Sequence, residues 1–310
     1  MRVSVVIPTF NGADTLAPLL DNLRNQKPVA PDEIIAIDSG SSDDTCRIVR
    51  EAGGHVITFR GAFNHGLTRD AVVRAASHEI VFLTVQDALP ASSDFLSRVA
   101  AHFNDPAIAG VTTRQIPPPD GPLELRIKAA LEEQQEQCIE RVSLGAHPNY
   151  SLYTPRQKIE LYRFDNVCSA IRRSVWETIP FGKCRYAEDY QWARKVLEAG
   201  HTLARDALAP VIHAHRRPFW YEFRRALLDA WVLDETFGYR YRLIDKLDRV
   251  KHLASAHGGT RMQMSLKARL KAVKTYSAHV LAREVYWGYR TVLKPMGMGT
   301  GNLERLTDRI

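Results

Sequence analysis

The sequence predicts an α/β domain on an open, mostly parallel sheet, followed by a helical extension. Three observations carry this. Short apolar runs alternate with helical patterns through the first part of the chain. Asp38, Asn64-His65 and Asp87 each fall just after such a run, where open parallel sheets bind ligands. The charge also changes sign: residues 1–215 hold 23 Lys+Arg against 26 Asp+Glu, and residues 216–310 hold 19 against 9. The predicted domains are therefore 1–215, the sheet, and 216–310, a basic amphipathic extension.

Val3 to Ile7, closed by Pro8, suits a buried parallel strand. Leu16, Leu19, Leu20 and Leu23 then recur at helical spacing. Glu33 to Ile37 is a second strand, and "DSGSSDDT" puts Asp43 and Asp44 in the first turn of the next helix, which stops at Gly53-Gly54. His55 to Phe59 is a third strand, and "FNHGLTRD" opens a helix carrying Ala71, Val72 and Ala75. Glu79 to Val85 is the fourth strand, and "FLTVQDALP" leaves Asp87 off its tip. "IAGVTTRQI" is the fifth. A polar helix is expected over 123–142 and an irregular loop over 143–164. "NVCSAIRRS" alternates and enters a helix at Val175-Trp176, "AEDYQWARKVLEAG" is a helix, and Val211 to His215 closes the core. From Phe219 onward the chain reads as helical, aromatic and basic.

The 45% hydrophobic and 25% charged residues are those of a soluble globular protein, and no apolar run approaches the roughly 20 residues of a membrane span. "MRVSVVIPTF" reads as a strand, not a signal peptide. Cys46, Cys138, Cys168 and Cys184 show no CxxC spacing, which suggests a reducing cytoplasm without a disulfide framework. No GxGxxG follows the first strand and no GxxxxGK[ST] occurs, which argues against a dinucleotide reductase and a P-loop ATPase. The basic third calls for an anionic partner, and no recognised nucleic-acid motif accompanies it. Its helices, "FWYEFRRALLDAW" and "RMQMSLKARLKAVKTYSAHVLAREVYWGYRTVLK", fit an anionic membrane surface, and equally an oligomer interface or a cap over an acceptor site.

"VSVVIPTFNGADTLAPLL", "AIDSGSSDDT", "FNHGLTRD", "FLTVQDALP", "FDNVCSAIRRSVWETIPF", "AEDYQWARKVLEAG" and "HAH" occur in that order. Together they resemble the family 2 glycosyltransferases of the GT-A fold, in particular bacterial rhamnosyltransferases of surface-polysaccharide synthesis, over about residues 1–237. The resemblance implies a Rossmann-like sheet flanked by helices. It implies inverting transfer of a sugar, expected to be rhamnose, from a dTDP- or UDP-linked donor to a lipid-linked or polysaccharide acceptor. With the cysteine usage and the basic third, the expectation is a cytoplasmic enzyme, peripheral at the inner face of the plasma membrane on the membrane reading of its helices. The rival function is a catalytically silent subunit that only holds nucleotide sugar or glycan.

By the same resemblance, Pro8, Thr9 and Asp38 hold the base and ribose, and Asn64, His65, Gly66, Arg69 and Gln86 line the nucleotide and its phosphates. Asn166, Ser169 and Ala170 underlie the sugar. Asp87 matches the last acid of the family's D-x-D, which holds Mg2+ or Mn2+; with Val85 and Gln86 before it, one carboxylate does the work of two. A C-terminal histidine, His215 before His213, would complete the metal shell, the two being expected to point to opposite sides of the chain. Asp189 is the expected general base, with Glu188 as substitute, and the helix dipole would favour its ionised form. Plainer roles stay open: Asp38 and Asp87 as turn caps, Arg69 as a surface charge, Glu188 and Asp189 as helix caps, and the histidines as core or surface groups. Trp176 and Trp192 read as core.

Overall fold

The computed structural model describes residues 2–61, 64–121, 125–126, 129, 138–184, 186–215, 217–240 and 266–293, with side chains of the last segment from 277 to 291. The chain divides into two compact units, Met1–Asp120 with Ala129–Ala214, and Gly121–Lys128 with His215–Ile310.

In the first unit the predicted runs are strands β1 (Val3–Thr9), β2 (Glu33–Asp38), β3 (His55–Thr58) and β4 (Ile80–Thr84). They pair in parallel in the order β3-β2-β1-β4. The connecting helices are α1 (Ala13–Arg24), α2 (Thr45–Glu51) and α3 (His65–Ala75). The leucine stripe of α1 is fully buried, as its spacing predicts. Helix α2 begins at Thr45, so Asp43 and Asp44 precede it and do not occupy its first turn as expected; Asp43 accepts the backbone N–H of Thr45 and of Ala13, both at 3.0 Å.

After β4 come β5 (Leu89–Pro90), α4 (Phe95–Ala101), β6 (Ile108–Ile116), β7 (Ile139–Val142), α5 (Pro155–Leu161), β8 (Cys168–Arg172), α6 (Arg173–Thr178), α7 (Glu188–Glu198) and β9 (Thr202–Ile212). The sheet continues β4-β8-β6-β9-β5, with β7 also on β9. Strand β8 runs antiparallel to β4 and β6, and β9 runs parallel to β6. The C-terminal ends of β1, β2, β4, β6 and β9 and the start of β8 therefore share one edge.

Three expectations need correction. The polar helix over 123–142 does not reach its predicted end: residues 139–142 are β7, paired with β9, and most of the remainder lies outside the described residues. The closing strand spans Thr202–Ile212, not Val211–His215. Arg205 and Asp206 hide it in the sequence, but both find partners: Arg205 donates to Glu140 and to the carbonyls of Glu160, Leu161 and Arg163, and Asp206 meets His102 at 2.8 Å. Within the expected loop, α5 starts on a capping box of Thr154 and Gln157 with Pro155 in its first turn, a T-P-x-Q signal present in the sequence. Cys46, Cys138, Cys168 and Cys184 are free thiols. Trp192 is buried against Phe164 and Phe181, and Trp176 donates to Asp70 at 2.8 Å, so both tryptophans are core.

In the second unit α8 (Phe219–Phe237) packs on α9 (Leu266–Gly288) through Phe223, Ala226, Leu227 and Ala230 against Ala278, Ala282 and Tyr286. Buried Asp234 accepts from Tyr286 at 3.0 Å and pairs with Arg240 and Arg290. The ends of the predicted basic stretch, 261–265 and 294, lie outside the described residues. No described helix is long and apolar enough to cross a membrane.

The first two turns of α3 are locked to the 181–184 loop. Asp70 accepts from the backbone N–H of Phe181 and Gly182 at 2.9 and 2.8 Å, and the Gly66 N–H donates to Cys184 O at 3.1 Å. A Cβ on Gly66 would lie 2.0 Å from Gly182 O, a backbone atom with little room to yield. Gly66→Ala should therefore lower stability by about 1–3 kcal/mol in urea unfolding. An alanine variant as stable as the parent would show that this loop is not fixed.

Candidate active site

The predicted site residues gather on the shared edge. Thr9 and Asp38 end β1 and β2 in register. Asp38 accepts from Gly40 N at 3.0 Å, Ser41 N at 2.8 Å, Thr9 Oγ1 at 3.1 Å and the Ser41 hydroxyl. Burial raises its pKa, but these hydrogen bonds outweigh burial and hold it below the usual carboxylate value. Four donors match the roughly four acceptor sites of a carboxylate, so Asp38 caps its own turn. Gln86 is also turned inward: Oε1 accepts Phe10 N–H at 3.0 Å and Nε2 donates to Phe10 O at 3.2 Å, clamping the loop after β1 to the tip of β4. Gly12 lets that clamp close, since a Cβ there would sit 2.4 Å from Gln86 Oε1. Pro8 lies within β1, one residue before this edge.

Asn64 caps α3 by accepting Leu67 N–H at 3.1 Å and also accepts Cys184 N–H at 3.1 Å. His65 lies edge-on to Tyr186. Arg69 is not a surface charge. It is buried and donates from Nε to Glu188 Oε1 at 2.6 Å, while its Nη1 is buried without a hydrogen-bond partner. Asn166 donates to the same Glu188 oxygen at 3.3 Å and accepts from Ser169 at 2.9 Å. Ser169 sits in β8, in register with Leu83 of β4 and Thr112 of β6.

Glu188 and Asp189 open α7, whose cap residue Ala187 has a left-handed φ of 57°. Their environments differ. Burial would raise Glu188, but the charge of Arg69, with help from His65, holds it below its ordinary value. Asp189 is pushed well above its ordinary value by burial, then by the charges of Glu188 and Asp165. The helix-dipole expectation for Asp189 is thus outweighed, although it does accept Tyr190 N–H at 2.8 Å.

Asp87, His213 and His215 each bring one potential ligand atom within 4.8 Å of the other two. The expectation that the two histidines diverge is wrong, because positions i and i+2 of an extended chain share a face. His213 Nε2 stands 3.5 Å from Asp87 Oδ1. Behind it stand two residues the sequence did not single out: Gln115 Oε1 is 2.8 Å from His213 Nδ1, and Gln115 Nε2 donates to Asp165. Asp165 precedes Asn166 in a quoted motif, but nothing in the sequence ties it to Gln115.

The two acids predict opposite stability effects. Glu188→Gln leaves the buried Arg69 charge unbalanced and should cost roughly 3–5 kcal/mol. Asp189 has a raised folded pKa, so its contribution is full below the ordinary carboxylate value and is lost as pH rises through the folded pKa. Asp189→Asn removes that loss, so its melting temperature should gain on the parent as pH rises. Thermal unfolding of both variants across pH checks this; a parent that outlasts Asp189→Asn at high pH would contradict it.

The profile of glycosyl transferase family 2 matches residues 4–179. The O-antigen chain rhamnosyltransferase RfbN of Salmonella typhimurium is 31% identical over 230 residues, covering 73% of this chain and 70% of that protein. The mannosyltransferase PcManGT of Pyrobaculum calidifontis, solved with GDP-Man and Mn2+, superposes with a TM-score of 0.54 at 18% identity, over 99% of this chain and 83% of that one. The glucosyl-3-phosphoglycerate synthase of Mycobacterium tuberculosis, solved with Mn2+, UDP-Glc and glycerol 3-phosphate, gives 0.51 at 20% identity, over 77% and 81%. At such identities the two structures speak for the fold, which is GT-A. The match over more than half its length, with a rhamnosyltransferase of similar sequence across most of the chain, places the protein among the glycosyltransferases: it belongs to glycosyl transferase family 2.

Proposed function

We propose that this chain is an inverting glycosyltransferase that moves rhamnose from a dTDP- or UDP-linked donor to a lipid-linked or polysaccharide acceptor, with Asp189 as the base. The observation that carries it is the split between two adjacent acids. Arg69 keeps Glu188 ionised, and burial beside Glu188 and Asp165 raises Asp189. Environments that push neighbouring carboxyls apart mark different roles. A raised carboxyl is the stronger base once ionised, suited to take the acceptor hydroxyl's proton as its oxygen attacks the anomeric carbon. The Salmonella relative supports the choice of rhamnose.

The donor would lie along the edge at Thr9, Asp38, His65 and Asn166, with Pro8 in the strand just before it and Ser169 buried against Asn166. Asn64, Gly66 and Gln86 serve it by fixing loops, and Arg69 keeps Nη1 for a phosphate oxygen. One carboxylate oxygen and two imidazole nitrogens fit a divalent cation at Asp87, His213 and His215. That set suits Mn2+ better than Mg2+, which favours oxygen throughout. A cation bound there would offset charge on the departing diphosphate. In the second unit Trp220 and Trp287 are 63% and 52% exposed beside a basic sequence, which supports docking on an anionic membrane surface from the cytoplasmic side.

Asp189→Asn should bind nucleotide sugar almost normally and transfer it about 10²–10⁴ times more slowly. Transfer by the parent should fall as pH drops through the raised pKa of Asp189, an acid limb above the ordinary carboxylate range that the variant lacks. A screen of nucleotide sugars with and without Mn2+, followed by rates per folded molecule, tests this. Normal transfer by Asp189→Asn with a dead but folded Glu188→Gln would move the base to Glu188.

The membrane partner has its own test. The full-length Trp220→Ala/Trp287→Ala variant should sediment less with phosphatidylglycerol vesicles, and salt should release the parent. Equal sedimentation would remove the membrane and leave an oligomer interface or cap.

A further inference from the structure

A histidine ligates a metal through a ring lone pair, so the position of its proton decides whether it can bind. Around His213 that position is dictated from behind. Asp165 is held by Thr112: its N–H donates to Thr112 Oγ1 at 3.1 Å, and that hydroxyl donates to Asp165 O at 3.3 Å. Its Oδ1 accepts Val167 N–H at 2.8 Å, and its Oδ2 faces Gln115 Nε2. An ionised carboxylate can only accept, so the Gln115 amide must present its NH2 to Asp165 and its oxygen to the opposite side. There Oε1 lies 2.8 Å from His213 Nδ1. An amide oxygen also only accepts, so Nδ1 carries the proton. The lone pair of neutral His213 then sits on Nε2, which stands 3.5 Å from Asp87 Oδ1. Two acceptors brought this close are reconciled by a cation between them.

The backbone contributes to this aim. The β6–β9 register shifts between Thr113, opposite Asp206, and Gln115, opposite Val211. Such irregularities re-aim a side chain beside a site.

We propose that Gln115, oriented by Asp165, is a positioning residue that sets the His213 tautomer and so prepares the Asp87–His213–His215 cluster for a divalent cation. The inference rests on the metal site proposed above and adds a residue that touches neither metal nor substrate. Partners of this kind change metal affinity by roughly 10- to 100-fold.

The test uses the full-length, metal-free protein labelled with 15N-histidine, in long-range 1H–15N spectra at neutral pH. His213→Gln identifies the His213 signals among the eleven histidines. The parent should show His213 protonated on Nδ1 alone. Gln115→Met keeps the length and removes both hydrogen-bonding groups; it should move His213 toward the Nε2-protonated form. Mn2+ affinity by calorimetry should fall by roughly 10- to 100-fold. Asp165→Asn lets the amide turn over, and should give the same tautomer shift even if Gln115→Met folds poorly. A neutral His213 protonated on Nε2 in the parent would overturn the proposal. Asp87→Ala separates the two levels. Unchanged Mn2+ affinity in that variant would sink the metal site and the inference together. Affinity lost there but kept in Gln115→Met and Asp165→Asn would sink the inference alone.

Discussion

The buried ion pair between Arg69 and Glu188 is the contact on which the active edge depends. It joins α3 to α7 across 119 residues of sequence, and Asn166 at the entry to β8 donates to the same carboxylate oxygen. Desolvating either charge alone would be costly by several kcal/mol, so each residue is tolerable only because the other is present. The pair also has an electrostatic consequence. With Glu188 kept negative, the next residue cannot ionise without facing a like charge in a buried setting. A structural carboxylate thereby raises the proton affinity of its neighbour, and the start of α7 holds one acid kept low by its ion pair and one whose pKa is raised.

The start of α7 is also where the backbone is strained. Ala187 has a left-handed φ, which a residue with a Cβ adopts at a cost of order 1–3 kcal/mol. The surroundings hold it there. Asp70 anchors Phe181 and Gly182, Asn64 and Gly66 bond to Cys184, and Trp192 of α7 donates to Ile179 O at 2.8 Å. Together these contacts leave the first turn of α7 little freedom to relax. Gly66 belongs here by its packing, whatever it also offers a phosphate.

The parallel half of the fold was legible because its signals are local: apolar runs, a leucine stripe at helical spacing, and polar residues at strand ends. Strand β9 was legible only at its tip, since Arg205 and Asp206 look like loop residues until Glu140 and His102 lie beside them. Helix α5 carried a readable capping box that composition obscured. In the candidate site, Asp87, Glu188 and Asp189 were singled out by their place in motifs. The sequence could not assign Gln86 to Phe10, Arg69 to Glu188 or Gln115 to His213, because each joins residues at least 76 apart through side-chain geometry alone.

One carboxylate bears on both ends of the proposed chemistry. The charge of Asp165 is among the causes that raise Asp189, and its Oδ2 orients the amide that faces His213. This explains how a cluster with a single acid could still serve. With Val85 where a second carboxylate is expected, Asp87 and two imidazoles attract a hard cation less strongly than paired acids would. The deficit can be made up by having the ligands ready, since a ligand already in the right tautomer and aimed loses less on binding. Asp165 supplies that readiness without entering the cluster, where a further charge would change the ligand set. It sits beside Asn166, which donates to Glu188, so the start of β8 links the proposed base, the Arg69–Glu188 ion pair and the histidine that faces Asp87.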